Sequence, residues 1–180
     1  MAMNVAASTQ VLQQATVREI LMGAQDNLTN VLAVVLGVTI GAGRADFVAL
    51  AGLSAGIAES VSMGGVLYNA TRAEQQMAAQ NGRAARDEDA ARLSPAFSGL
   101  VTGCASLVAG MVPLAPFTFL PLSSAILVSM VLSLSGLFAL GSVTGRVAGG
   151  TWLTEGLRLV AVAGIAALAA ALVGATLQVA

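Results

Sequence analysis

The sequence predicts an all-helical membrane protein with five spans, and three observations carry that reading. The chain is 57% hydrophobic and only 9% charged, whereas soluble domains carry about 25% charged residues. Its mean hydropathy is +0.85. Five apolar runs lie near 27–44, 46–69, 96–116, 121–144 and 153–178, each close to the ~20 residues that a helix needs to cross a ~30 Å hydrocarbon core.

The same composition excludes several kinds of chemistry. Histidine is absent, which removes His-based acid–base mechanisms, haem ligation and most zinc sites. Cys104 stands alone in an apolar run, so neither a disulfide framework nor a thiolate cluster is expected. A formal net charge of −1 makes no case for nucleic acid as a partner. No hydroxyl–base pair of recognisable spacing appears, so an enzyme is not expected and no cofactor is implied.

Residues 1–25 lack a cationic start followed directly by an apolar core, so they do not read as a cleaved signal peptide. Segment 8–24 carries an apolar stripe (Val11, Leu12, Ala15, Ile20, Leu21) among Gln, Thr, Arg and Glu. It predicts an amphipathic helix lying at the membrane interface. The membrane domain then occupies 26–180, interrupted by a short charged linker at about 71–95. Pro113, Pro116 and Pro121 make the connection between the third and fourth spans a kinked turn, and Gly149-Gly150 separates the fourth from the fifth.

An odd number of spans puts the termini on opposite sides. Arg18, Arg72, Arg83, Arg86, Arg92 and Arg146 fall on the side of the N-terminus, with Arg158 one to two turns into the last span. Only Arg44, beside Asp46, falls on the other. Cytoplasmic ends of membrane proteins are enriched in Lys and Arg, so the N-terminus and the linker are expected in the cytoplasm and the C-terminus outside. An Arg-only, Ala- and Gly-rich chain suits a bacterial inner membrane. Small residues recur four apart at Gly37/Gly41, Gly52/Gly56, Gly99/Gly103 and Gly141/Gly145. Such pairs let helices approach closely, either within one bundle, the favoured reading, or along a homodimer seam.

The candidate site lies in the first helical hairpin. A carboxylate inside an apolar span costs about 2.5–3.5 kcal/mol on insertion scales, so Asp26 and Glu59 call for a reason. Folding the hairpin about Ala45 leaves Asp26 19 residues before the turn and Met63 18 after it. Asn30 and Glu59 are each one turn deeper. Two stacked layers are therefore expected, Asp26 with Met63 and Asn30 with Glu59, and Ser62 and Thr29 can add oxygens. Singly, each residue has a plainer reading: Met63 as packing, Asp26 as a helix cap. Together, oxygen ligands and one thioether suit a divalent metal of borderline softness, Fe²⁺ or Mn²⁺ rather than Mg²⁺ or Cu⁺. Carboxylates must shed protons to bind metal, and that competition is the minimal basis for antiport.

These residues resemble the vacuolar iron transporter family and its bacterial relatives. Arg18-Glu19-Ile20-Leu21-Met22-Gly23-Ala24-Gln25-Asp26-Asn27-Leu28-Thr29 resembles the family's approach to its first span. Ala51-Gly52-Leu53-Ser54 and Ser62-Met63-Gly64-Gly65 with Tyr68 resemble its second. Leu114-Ala115-Pro116-Phe117, Leu137-Phe138-Ala139-Leu140-Gly141 and Gly156-Leu157-Arg158 are similar to the later spans. The resemblance implies a five-helix homodimer exporting Fe²⁺ or Mn²⁺ from the cytosol against protons, with Asp26 and Met63 at the positions of pathway ligands. Three departures stand out. The family glutamate eight residues before the methionine is Ala55 here, with Glu59 one turn on; Asn27 stands where glycine is usual; and the linker is too short to hold the metal-binding domain of eukaryotic members. Glu74 and Met77 in that linker would share a face if the second helix continues outward, as a solvated linker or as a reduced metal-collecting site. Two other readings keep the membrane fold: a small dimeric exporter of organic cations in exchange for protons at Glu59, and a non-transporting structural or regulatory homologue.

Overall fold

A computed structural model describes residues 2–80 and 94–177, with side chains described from residue 16 onward. Six helices follow one another: α1 (Ala2–Ala42), α2 (Ala45–Gln80), α3 (Pro95–Met111), the single turn α4 (Pro116–Phe119), α5 (Leu122–Val147) and α6 (Trp152–Thr176). Among the described residues no strand occurs. Four helices are long and apolar enough to cross a membrane: α1 over Thr16–Ala42, α2, α5 and α6. Linker residues Arg83, Arg86, Asp87, Glu88, Asp89 and Arg92 lie outside the described part, as do the side chains of Val11, Leu12 and Ala15.

Each boundary has a local cause. α1 stops where Gly43 takes φ +62°, a left-handed conformation that glycine adopts without steric cost. α3 starts with Pro95 at its first position and the Ser94 hydroxyl accepting from the Phe97 N–H at 3.2 Å, a favourable N-cap. The run 96–116 was expected as one span, but the helix is only 17 residues long. Pro113 lacks an N–H and its ring cannot follow a preceding helical turn, so the chain leaves α3 through the turn 112–115 into α4. The Pro113 carbonyl is satisfied by the Ser129 hydroxyl of α5 at 2.7 Å. No break sets residues 2–25 off from the first span: α1 is continuous from Ala2, and Glu19, Leu21 and Ala24 are already buried in the bundle.

Residue pairings give the directions. Asn27 meets Ser106, Gly37 meets Ala170 and Gly41 meets Gly174, so α1, α3 and α6 run parallel. Gly64 meets Gly99 and Ser60 meets Gly103, which makes α2 antiparallel to α3, and Gly141 against Glu155 makes α5 antiparallel to α6. The start of α1, the linker and the α5–α6 turn thus share one end of the bundle, here called the inner end. α1 is the central post. Half of its apolar window is buried, against 22% for α2 and α5 and 17% for α6. It supplies Ala24 and Leu28, Val31 and Val35, and Leu32 and Leu36 to three successive core clusters. The outward faces carry Leu50, Val61, Val108, Leu127, Ile165 and Leu172, each at least 65% exposed. Water would not tolerate that area of apolar surface; lipid does.

All four glycine pairs face neighbours inside this one bundle. Gly37 and Gly41 lie on α6, Gly52 and Gly56 on Leu114 and Val31, Gly99 on Gly64 and Gly103 on Ser60, and Gly141 and Gly145 on Glu155. A Cβ at Gly141 would sit 2.5 Å from the Glu155 carbonyl oxygen and one at Gly99 2.6 Å from that of Gly64. These are backbone-to-backbone approaches, which only glycine permits.

Candidate metal pathway

Asp26 and Asn30 lie one turn apart on α1, and Glu59 faces them from α2. The Glu59 carboxyl group lies within interacting reach of both the Asp26 and the Asn30 side chains. One glutamate thus serves both residues of α1, because its side chain reaches across the ~5.4 Å turn that separates residues 26 and 30. Asp26 and Glu59 are half-buried and Asn30 is exposed, so the site opens to one side of the protomer. Met63, one turn along α2 from Glu59 and on the same helix face, is half-buried; Ser62 is exposed. The Thr29 hydroxyl is occupied, donating to the Gln25 carbonyl at 2.8 Å.

Glu74 and Met77 lie well beyond this group. α2 does continue as a helix to Gln80, and both side chains are exposed on its outlying part, Met77 by 60%. They share a face but lie 11 and 14 residues along the helix from Met63, or ~17 and ~21 Å. Among the described residues no three Asp, Glu or Cys side chains gather at one point. The site thus offers two carboxyl groups with an amide beside them, and a thioether one turn along α2.

Two features were not foreseen in the sequence. Glu19 is buried to 9% exposure with Oε2 lacking a hydrogen-bond partner among the described residues; it stands seven residues before Asp26, hence two turns inward on the same stripe of α1. Asn27 is fully buried directly behind Asp26 and bonds to α2 and α3. The signal available for both was the same: a polar residue within a helix whose neighbours are apolar.

Outward of Asn30 the character changes. A groove of about 700 Å³ runs between α1, α2 and α6, lined by apolar residues alone, including Ala33, Gly37, Leu50, Phe47, Ala170 and Val173. At the outer turn Arg44 is bound to Asp46, with Nη2 to Oδ2 at 2.6 Å, and lies 4.3 Å above the Phe47 ring. At the inner end Arg18, Arg72 and Arg146 form no ion pair among the described residues, and Arg158 reaches Glu155 only at 3.6 Å.

A comparison with curated proteins finds no match. A sequence model of the VIT family matches residues 17–91 and again 77–175, and so covers both helices of the site and nearly all of the bundle. With its apolar helices and this match, the chain is a multi-pass membrane protein that belongs to the vacuolar iron transporter family, a family of membrane metal-ion transporters.

Proposed function

We propose that this protein moves Fe²⁺ or Mn²⁺ out of the cytosol in exchange for protons, and that Asp26 and Glu59 are the exchanging groups. One observation supports this above the others: Glu59 meets Asp26 and Asn30 inside a bundle of apolar helices. Two neighbouring carboxyl groups repel each other unless a proton or a cation lies between them. A divalent metal and a proton are thus alternative occupants of the same space. Asn30 and Ser62 add oxygens and Met63 adds sulfur, which favours Fe²⁺ or Mn²⁺ over Mg²⁺. Glu74 and Met77, exposed on the outlying turns of α2, collect metal before it reaches the pair.

The inner end is cytoplasmic in this reading, because Arg18, Arg72 and Arg146 form no ion pair among the described residues while Arg44 is held by Asp46. α3, with α4 completing its crossing, is the fifth span; the part of α1 ahead of its apolar window is the interfacial amphipathic stretch, 71–95 is the cytoplasmic linker, and the C-terminus is outside. A bacterial inner membrane provides the proton gradient. An acid pair open to one side of a protomer is costly against lipid, so a second copy closes the groove and the protein works as a homodimer.

Mn²⁺ flux into proteoliposomes, followed together with internal pH, tests this. Metal entering with counter-movement of protons is the expected result. Unchanged proton movement in both Asp26→Ala and Glu59→Ala would remove the site. The apolar groove outward of the acid pair favours a second reading, export of hydrophobic organic cations. Against it stands the count of seven aromatic residues in the whole chain, since cations are held best by aromatic faces. Calorimetric titration with Mn²⁺ and with tetraethylammonium separates the two, and a stable dimer that moves neither cation marks the non-transporting homologue.

A further inference from the structure

Asn27 has 0% exposure, and its side-chain nitrogen is placed to donate in three directions. It lies 3.0 Å from the Gly56 carbonyl and 3.0 Å from the Ser60 hydroxyl, both on α2, and 2.9 Å from the Ser106 carbonyl on α3. The Ser60 hydroxyl in turn donates to the Gly56 carbonyl at 2.6 Å. The orientation of the amide is determined by this surrounding. Turned over, its oxygen would face two carbonyl oxygens, none of which can donate. Its own oxygen is buried and has no partner among the described residues, and three acceptors compete for two protons. The position is tight as well: a Cβ at Gly110 would stand 2.7 Å from the Asn27 nitrogen and 2.9 Å from its amide carbon and oxygen.

These contacts lie one residue from the acid pair on both helices. Asn27 follows Asp26, and Ser60 follows Glu59. We infer that Asn27 is the positioning residue of the site: it pins α2 and α3 to α1 at the depth of the carboxyl groups and so sets the spacing at which Asp26 and Glu59 receive a metal ion. The inference rests on the metal-transport reading above for its consequence, though not for its geometry. Sites hold their ligands within about 0.5 Å only when the supporting contacts are themselves fixed. Two protons shared among three separate points on two helices resist both sliding and rotation, which a packing contact alone does not.

The test separates hydrogen bonding from space filling. Asn27→Gly leaves a void, and Gly110→Ala drives a methyl group into the amide; each lowers the melting temperature of the reconstituted protein. Together the changes are complementary, because the new methyl occupies the vacated room. The double variant N27G/G110A is expected to regain most of the melting temperature while its Mn²⁺ Kd stays about 10-fold weaker or more, the loss typical of removing a supporting contact behind a ligand. Amide hydrogen exchange over residues 56–64 is expected to stay faster than in the wild type. A double variant with wild-type Kd and wild-type exchange would show that Asn27 only fills space, and would overturn the inference. Should the wild type bind no Mn²⁺, the transport reading fails, and the exchange comparison at matched melting temperature still decides the clamp: faster exchange supports it, equal exchange rejects it.

Discussion

Between Asp26 and Asn30 the face of α1 turned toward α2 carries a carboxyl group and an amide, answered by Glu59; from Ala33 to Ala42 the adjoining groove is lined by apolar side chains alone. The two halves also hold together differently. The inner half is tied by side-chain hydrogen bonds from Asn27 to two neighbouring helices. The outer half is closed by bare backbone, with Gly37 and Gly41 of α1 against Ala170 and Gly174 of α6. An ion can be held in the first kind of space and is repelled by the second. On the proposed reading, the inner half is the binding place and the apolar outer half the barrier that a transport cycle has to open.

The strongest way to break this comparison is to empty the inner half. Asp26→Ala with Glu59→Ala is expected to reduce Mn²⁺ transport in proteoliposomes by at least about 100-fold, since even contacts behind a ligand are commonly worth 10–100-fold. Transport near wild-type level would mean that the polar half is structural. Next in size is the outer seam. A methyl at Gly174 meets the Gly37 carbonyl directly, and Gly174→Ala is expected to cost about 1–3 kcal/mol of stability. Gly164→Ala, where nothing lies within 4 Å, is the control and is expected to hold or gain up to about 1 kcal/mol from helix propensity. Equal thermal unfolding of the two variants would contradict the backbone seam.

Proton competition sharpens the inner half further. Metal displaces protons from the carboxyl groups, so Mn²⁺ affinity is expected to rise with pH and to fall on acidification, by at most about tenfold per pH unit for each proton displaced. Titration at several pH values reads this directly, and a flat profile would separate binding from the acid pair. The smallest effect belongs to the outlying turns of α2. Glu74→Gln with Met77→Ala is expected to slow uptake at low Mn²⁺ by no more than about fivefold, in keeping with exposed charges being worth up to about 1 kcal/mol. A loss as large as that of the acid pair would move the binding place outward.

Much of this was readable from the chain. The 57% hydrophobic composition and the run lengths determined a membrane protein and the positions of its helices, because the bilayer prescribes how long an apolar segment must be. Counting from Ala45 also brought residues 26–30 close to the depth of Glu59, since rise per residue is the same in every α-helix. Depth, however, leaves open the direction around the helix axis. Only the packed structure decided that Glu59 reaches both Asp26 and Asn30, that the glycine pairs are spent inside one bundle, and that Asn27 turns away from the groove to hold α2 and α3. Those facts depend on which neighbour each helix face meets, and that is settled by contacts between residues as far apart as 27 and 106, which no local pattern encodes.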